Sequence, residues 1–166
     1  MTLYGAIVFI HVATILLFFM AHGVSMFVAF RLRMERDPAR VRMLLDLSSW
    51  SMGIPAIAAI SVGILAGIAT GIMGGWLGSL WFWISLVLLV LVALAMTPMA
   101  ANQLKPIRTA AGTVTINPFS RIQAPAPDSD PAELARLLDA WNPVPIAALG
   151  TVAFLVILWL MLFKPF

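Results

Sequence analysis

The chain has 166 residues, of which 62% are apolar and only 10% charged, whereas soluble domains run at roughly 45–50% apolar and about 25% charged. Ten Lys and Arg against seven Asp and Glu give a net charge of +3, but the basic residues lack interleaved aromatics and gather beside apolar runs, which argues against a nucleic-acid surface and for a membrane protein. Cysteine is absent, which excludes disulfides, thiolate metal sites and a cysteine nucleophile.

Residues 1–30, 47–101 and 140–163 contain no Asp, Glu, Lys or Arg. Uncharged apolar stretches longer than roughly 18 residues predict transmembrane helices. The first span covers 3–30 and ends at Arg31 and Arg33. It lacks a basic region before its apolar run, so an uncleaved first span is expected rather than a signal peptide. The second uncharged run is too long for one crossing and divides at the glycine-rich segment Gly71-Ile72-Met73-Gly74-Gly75-Trp76-Leu77-Gly78-Ser79. That predicts spans over 49–72 and 80–101, and a last one over 143–163 with Asn142 as N-cap and Pro143 at its first position. The expected fold is all-α: a single membrane domain over 1–166, a bundle of four transmembrane helices.

Loops 31–48 and 102–142 carry nine of the ten basic residues, and the 73–79 turn carries none. The positive-inside rule therefore puts both loops in the cytoplasm and both termini outside. Tyr4, Trp76, Trp81 and Trp159 then fall at the outer boundary, and Trp50 and Trp141 at the inner one. Residues 109–130 are rich in turn formers and expected to be irregular. Asp130-Pro131-Ala132-Glu133 resembles a capped helix start, with Glu133 placed to reach back. Leu134, Leu137, Leu138 and Trp141 follow on one face, which predicts a short amphipathic helix, either lying on the membrane surface or folded over the inner end of the bundle. Asp37-Pro38 is a similar start, so a cytoplasmic helix is expected to run into the second span.

Ala59, Gly63, Gly67, Gly71 and Gly75 recur every four residues in the second span. Such a small-residue groove lets helix backbones approach closely where no hydrophobic effect draws them together. It would serve packing inside the bundle or a homodimer. Pro55 and Pro98 loosen the inner ends of the second and third spans.

Both histidines, His11 and His22, lie in the first span. Their separation is close to three whole turns, so they share one face, roughly 16 Å apart. Thr14 and Ser25 each follow a histidine by one turn, and Tyr4, His11, Thr14, Phe18, His22 and Ser25 form a stripe that should face protein. An ionisable group inside a span points to function. Imidazole in apolar surroundings is a good axial ligand for haem iron, with its other nitrogen hydrogen-bonded. Among second ligands, Met52, Met96 and Met99 lie on the side of His22, and Met73 is toward His11. A symmetric dimer or five-coordinate iron or magnesium would also complete the site. The plain alternative is two histidines bonded to neighbouring helices. The ten methionines are dispersed and read as packing, and no span carries the carboxylate that ion pumping or hydrolase chemistry needs.

Ile10-His11, the run Arg36-Asp37-Pro38-Ala39-Arg40, the glycine-rich second span and the terminal Met161-Leu-Phe-Lys164-Pro165 resemble the bacterial predicted membrane protein family known as domain of unknown function 2269. The resemblance implies the architecture and a bacterial plasma membrane. More distantly, the layout is similar to copper-resistance-D-like proteins and to the four-helix, haem-carrying protoporphyrinogen oxidases. In the oxidases an early first-span histidine, here His11, binds haem. Their later-span lysine has no counterpart between Trp50 and Ala101, so oxidase activity is not expected.

Two expectations result. One is a membrane protein holding haem b or another tetrapyrrole through His11 and His22, with Thr14, Ser25, Met52 and Met96 around them, for electron transfer or within a redox complex. The other is a non-catalytic accessory subunit, joined to further membrane subunits or to a second copy, with no cofactor of its own.

Overall fold

The structure, a computed structural model, describes residues 2–113 and 128–166. Helices are its only regular elements among these residues: α1 Leu3–Leu32, α2 Pro38–Ser51, α3 Ile54–Met73, α4 Leu80–Ala110, α5 Pro131–Ala140 and α6 Val144–Phe163, with a 3₁₀ turn at Trp76–Gly78 between α3 and α4. Four stretches are long and apolar enough to cross a membrane: Leu3–Leu32, Pro38–Met73, Leu80–Ala110 and Val144–Phe163. Helix α1 packs on α2 and α3, and α4 packs on α5 and α6.

The second of these stretches is α2 and α3 together, interrupted at Met52-Gly53. Pro55 explains the break, because its ring clashes with the carbonyl four residues earlier, that of Ser51, while sitting comfortably in the first turn of α3. Pro98 and Pro106 do not end α4, which continues past the expected boundary at 101 to Ala110. Gly75 closes the turn after α3 in a left-handed conformation, φ 72°, which glycine adopts without penalty. The Lys164 ammonium lies 4.1 Å from the centre of the Trp76 ring, tying the end of α6 to this turn.

Two kinds of interior coexist. Within the spans the buried positions are mostly small, such as Ala56, Gly63, Ala66, Gly71 and Ala153, while Phe9, Leu65 and Leu94 point outward. Lipid is as apolar as these side chains, so nothing drives them inward. At the end carrying Arg31 and Arg33, by contrast, large side chains are buried together: Val28 and Leu32 of α1, Leu45 of α2, Ile107 of α4, and Leu138 of α5 with Trp141 beyond it. Helix α5 thus turns its apolar face onto the ends of α1, α2 and α4. Its Asp130 caps Ala132 and Glu133, whereas Glu133 pairs with Arg136 instead of reaching back. The Asp130 N–H that Glu133 was expected to bond donates to the Ala110 carbonyl, 2.9 Å away. Of the segment expected to be irregular, 109 and 110 finish α4, and 114–127 lie outside the described residues.

Trp141 and Trp81 are buried, with 4% and 6% of their surface exposed. The indole N–H of Trp141 donates to the Ala29 carbonyl at 2.6 Å, so a partner inside the protein replaces the headgroup region. Trp50 and Trp159 are exposed.

Candidate functional site

From His11 onward the predicted stripe on α1 is at least half-buried, with Tyr4 exposed at its start. The two histidines meet different surroundings. His11 faces α3, where its Nδ1–H donates to the Gly63 carbonyl at 2.7 Å. A β-carbon at Gly67 would lie 2.9 Å from both Nδ1 and Cε1 of that ring, and one at Gly63 would lie 2.8 Å from Ile15. The glycine groove therefore seats α1 of the same chain, and the His11 ring fills its Gly67 notch. The rest of the small-residue repeat divides: Gly71 makes room for the Phe82 ring of α4, and Gly75 belongs to the turn.

His22 sits where α1 approaches α4 and α6. A β-carbon at Gly150 of α6 would lie 3.8 Å from His22 Nε2, 3.3 Å from Met96 Sδ and 3.0 Å from the Met96 methyl carbon. An imidazole nitrogen and a thioether thus border one notch that only glycine leaves open. Phe18, one turn earlier, stacks on the imidazole with ring centres 5.8 Å apart. The other ring nitrogen, Nδ1, is buried and has no hydrogen-bond partner. Buried polar atoms without partners are rare enough that each needs an explanation. Phe19 packs on Phe154 beside the notch, centres 3.9 Å apart.

The two hydroxyls do not serve the imidazoles. Thr14 donates to the Ile10 and His11 carbonyls of its own helix, the nearest acceptors for a helical threonine. Ser25 bonds to Ser48 of α2 at 2.8 Å. Met52 caps α2 at the break before α3, and Met73 ends α3 with a largely exposed side chain. Among the described residues no cluster of three His, Asp or Glu forms a metal site.

Further toward the arginine-rich end, Arg108 of α4 is buried, 8% exposed. Its Nη2 donates to the Leu45 carbonyl at 2.9 Å, and its Nη1 is buried without a partner. The sequence reading missed Arg108, because it placed this residue in a loop, and missed Gly150, although that is the lone glycine of the last span.

For a tetrapyrrole the two histidines differ in fit. The His22 Nε2 borders the Gly150 notch together with the Met96 thioether, its buried Nδ1 has no partner, and imidazole nitrogen and thioether sulfur are both atoms that can hold haem iron. His11 is already bonded and fills its own notch, which suits helix packing. No protein family, curated protein or solved structure matches the chain.

Proposed function

We propose that this chain is an integral membrane protein of the bacterial plasma membrane that holds one haem b, or a related tetrapyrrole, at His22. Its role is electron transfer, alone or within a membrane redox complex. The observation that carries the reading is the His22 imidazole, whose Nε2 borders the Gly150 notch together with the Met96 thioether while its buried Nδ1 has no partner. Haem would supply one-electron redox chemistry there. The chain's own residues would do the holding: His22 and Met96 would offer the ligand atoms, and Phe18, stacked on the imidazole, fixes its plane. His11 contributes by locking α1 onto α3. The arginine-rich end faces the cytoplasm and both termini face outward, in keeping with the uncharged 73–79 turn. The likeness to the domain of unknown function 2269 family belongs to the same reading.

An absorption spectrum of the detergent-purified protein tests this. A Soret band is expected, lost in His22→Ala and retained in His11→Ala. A colourless preparation, or a band indifferent to His22→Ala, overturns the proposal.

The hydrogen bond from His11 to Gly63 favours a second reading, an accessory subunit without a cofactor. Under it, both histidine substitutions lower stability and neither alters a spectrum. Since Gly63 and Gly67 already receive α1, the face offered to another subunit would not be the glycine groove.

A further inference from the structure

Helices α2 and α3 run one after the other along α1. His11 bonds to Gly63, and Ser25, fourteen residues on, bonds to Ser48, fifteen residues back. The antiparallel register therefore continues across the break at Met52-Gly53, and α2 stays beside α1. Pro38–Met73 holds 36 residues, about 54 Å of helix, whereas a bilayer with its headgroups is roughly 40–45 Å thick. Since α3 alone, with 20 residues, matches the hydrocarbon at about 30 Å, α2 passes through the headgroup layer on the arginine-rich side.

Helix α2 is nonetheless apolar on two sides. Val41, Leu44 and Leu45 are buried against the bundle, but Met43, Leu47 and Trp50 face outward, 64%, 43% and 76% exposed. These three follow one another at steps of four and three, which keeps them on one face. The same steps lead past the break to Ile54 and Ile57, both exposed on α3. The row is thus continuous with the surface that α3 turns to acyl chains, and its indole stands where tryptophan meets headgroups.

Charge decides which lipid covers it. Residues 31–46 carry five arginines against three carboxylates. Arg31 lies six residues beyond Ser25 and Arg42 six before Ser48, so the register sets both at one level, and both are exposed. Among the described residues neither forms an ion pair, while Arg36 is taken by Asp139 and Arg40 by Asp37. Glu35 is occupied by the backbone N–H groups of Arg36 and Asp37. An arginine stem lies along apolar surface while its guanidinium reaches the polar layer, where it makes paired hydrogen bonds to phosphate oxygens.

We propose that the outward face of α2, with Arg42 beside it and Arg31 at the same level, is a binding surface for an anionic phospholipid. The acyl chain lies along Trp50, Ile54 and Ile57, the glycerol region covers Met43 and Leu47, and the two guanidiniums hold the phosphate layer. This surface is independent of whether the protein carries haem.

For the test, the full chain in detergent is offered equal amounts of phosphatidylglycerol and phosphatidylcholine with the same acyl chains, and retained lipid is counted by native mass spectrometry. Phosphatidylglycerol is expected to be retained preferentially. Arg31→Gln and Arg42→Gln should each lower that preference about fivefold, the effect of one juxtamembrane charge. Trp50→Ala should lower retention of both lipids and keep their ratio. All three side chains are exposed, so the bundle folds without them. Equal retention of the two lipids by the wild type overturns the inference, as does a preference that both arginine variants keep in full. A dimer in the same spectra that Trp50→Ala dissociates also overturns it, and gives the row to a second copy of the chain.

Discussion

An imidazole in a membrane helix has two ring nitrogens to provide for, and the two histidines of α1 do so differently. His11 gives its Nδ1 proton to a carbonyl that a glycine leaves accessible, so the ring becomes part of the α1–α3 contact. His22 leaves its Nδ1 without a partner and turns its Nε2 toward the notch that the Met96 thioether borders. Their shared face was legible from the spacing, since it depends on helix geometry alone. Which helix each ring would meet was not, because that depends on tertiary neighbours. The same scale governs Glu35, whose carboxylate accepts the backbone N–H groups of Asp37 at 3.2 Å and Arg36 at 3.0 Å. These bonds, that of Asp37 foremost, hold its pKa below the ordinary carboxylate value. A depressed folded-state pKa contributes stability that is complete above the unfolded value, about 4.3, and is lost as pH falls through the folded one. Thermal unfolding in detergent should therefore show the wild type losing more stability than Glu35→Gln between about pH 6 and about pH 3. Parallel pH profiles for the two proteins would show that Glu35 contributes nothing to this dependence.

Helix α5 shows how an element that is amphipathic in sequence chooses its surface. Its apolar residues Leu134 and Leu138, with Trp141, are 1–4% exposed and lie against α1, α2 and α4. The indole bond to Ala29 and the ion pair between Arg36 and Asp139, 2.6 Å long, fix it in place. The ion pair is exposed and contributes little, so docking depends on the tryptophan and the leucines. Trp141→Phe keeps much of the apolar contact and removes the N–H donor, which should cost about 1–3 kcal/mol. Hydrogen exchange should rise in α5 and at the end of α1 while the middle of the spans stays protected. Unchanged exchange in α5 would mean that the helix is held by other contacts. The start of α5 was legible because Asp130-Pro131 is a local capping signal. Its docking surface was not, since an apolar stripe fits membrane and protein equally. The extension of α4 was concealed in a similar way: Ile107, Ala110 and Ala111, all buried, lie in a stretch polar enough to resemble a loop.

At the scale of the molecule, the four spans were readable because charge is so strongly excluded from hydrocarbon that its absence marks them. The boundaries moved where helices run on beyond the apolar stretch and acquire a core of the soluble kind. That gives the bundle two ends of different character: one with α5 and clustered arginines, the other a short glycine-rich turn held by Lys164 over Trp76. The charge asymmetry between the ends is what the positive-inside rule acts on, and the lack of native cysteine makes the resulting orientation directly measurable. A β-carbon at Gly78 would meet nothing within 4 Å, and Ala39 is exposed at the start of α2. Gly78→Cys and Ala39→Cys, made singly, should therefore leave the fold intact. In intact cells a membrane-impermeant maleimide is expected to label Gly78→Cys, and to reach Ala39→Cys only after the membrane is opened. The opposite pattern would reverse the molecule in the membrane. It would put the arginine-rich end outside the cell.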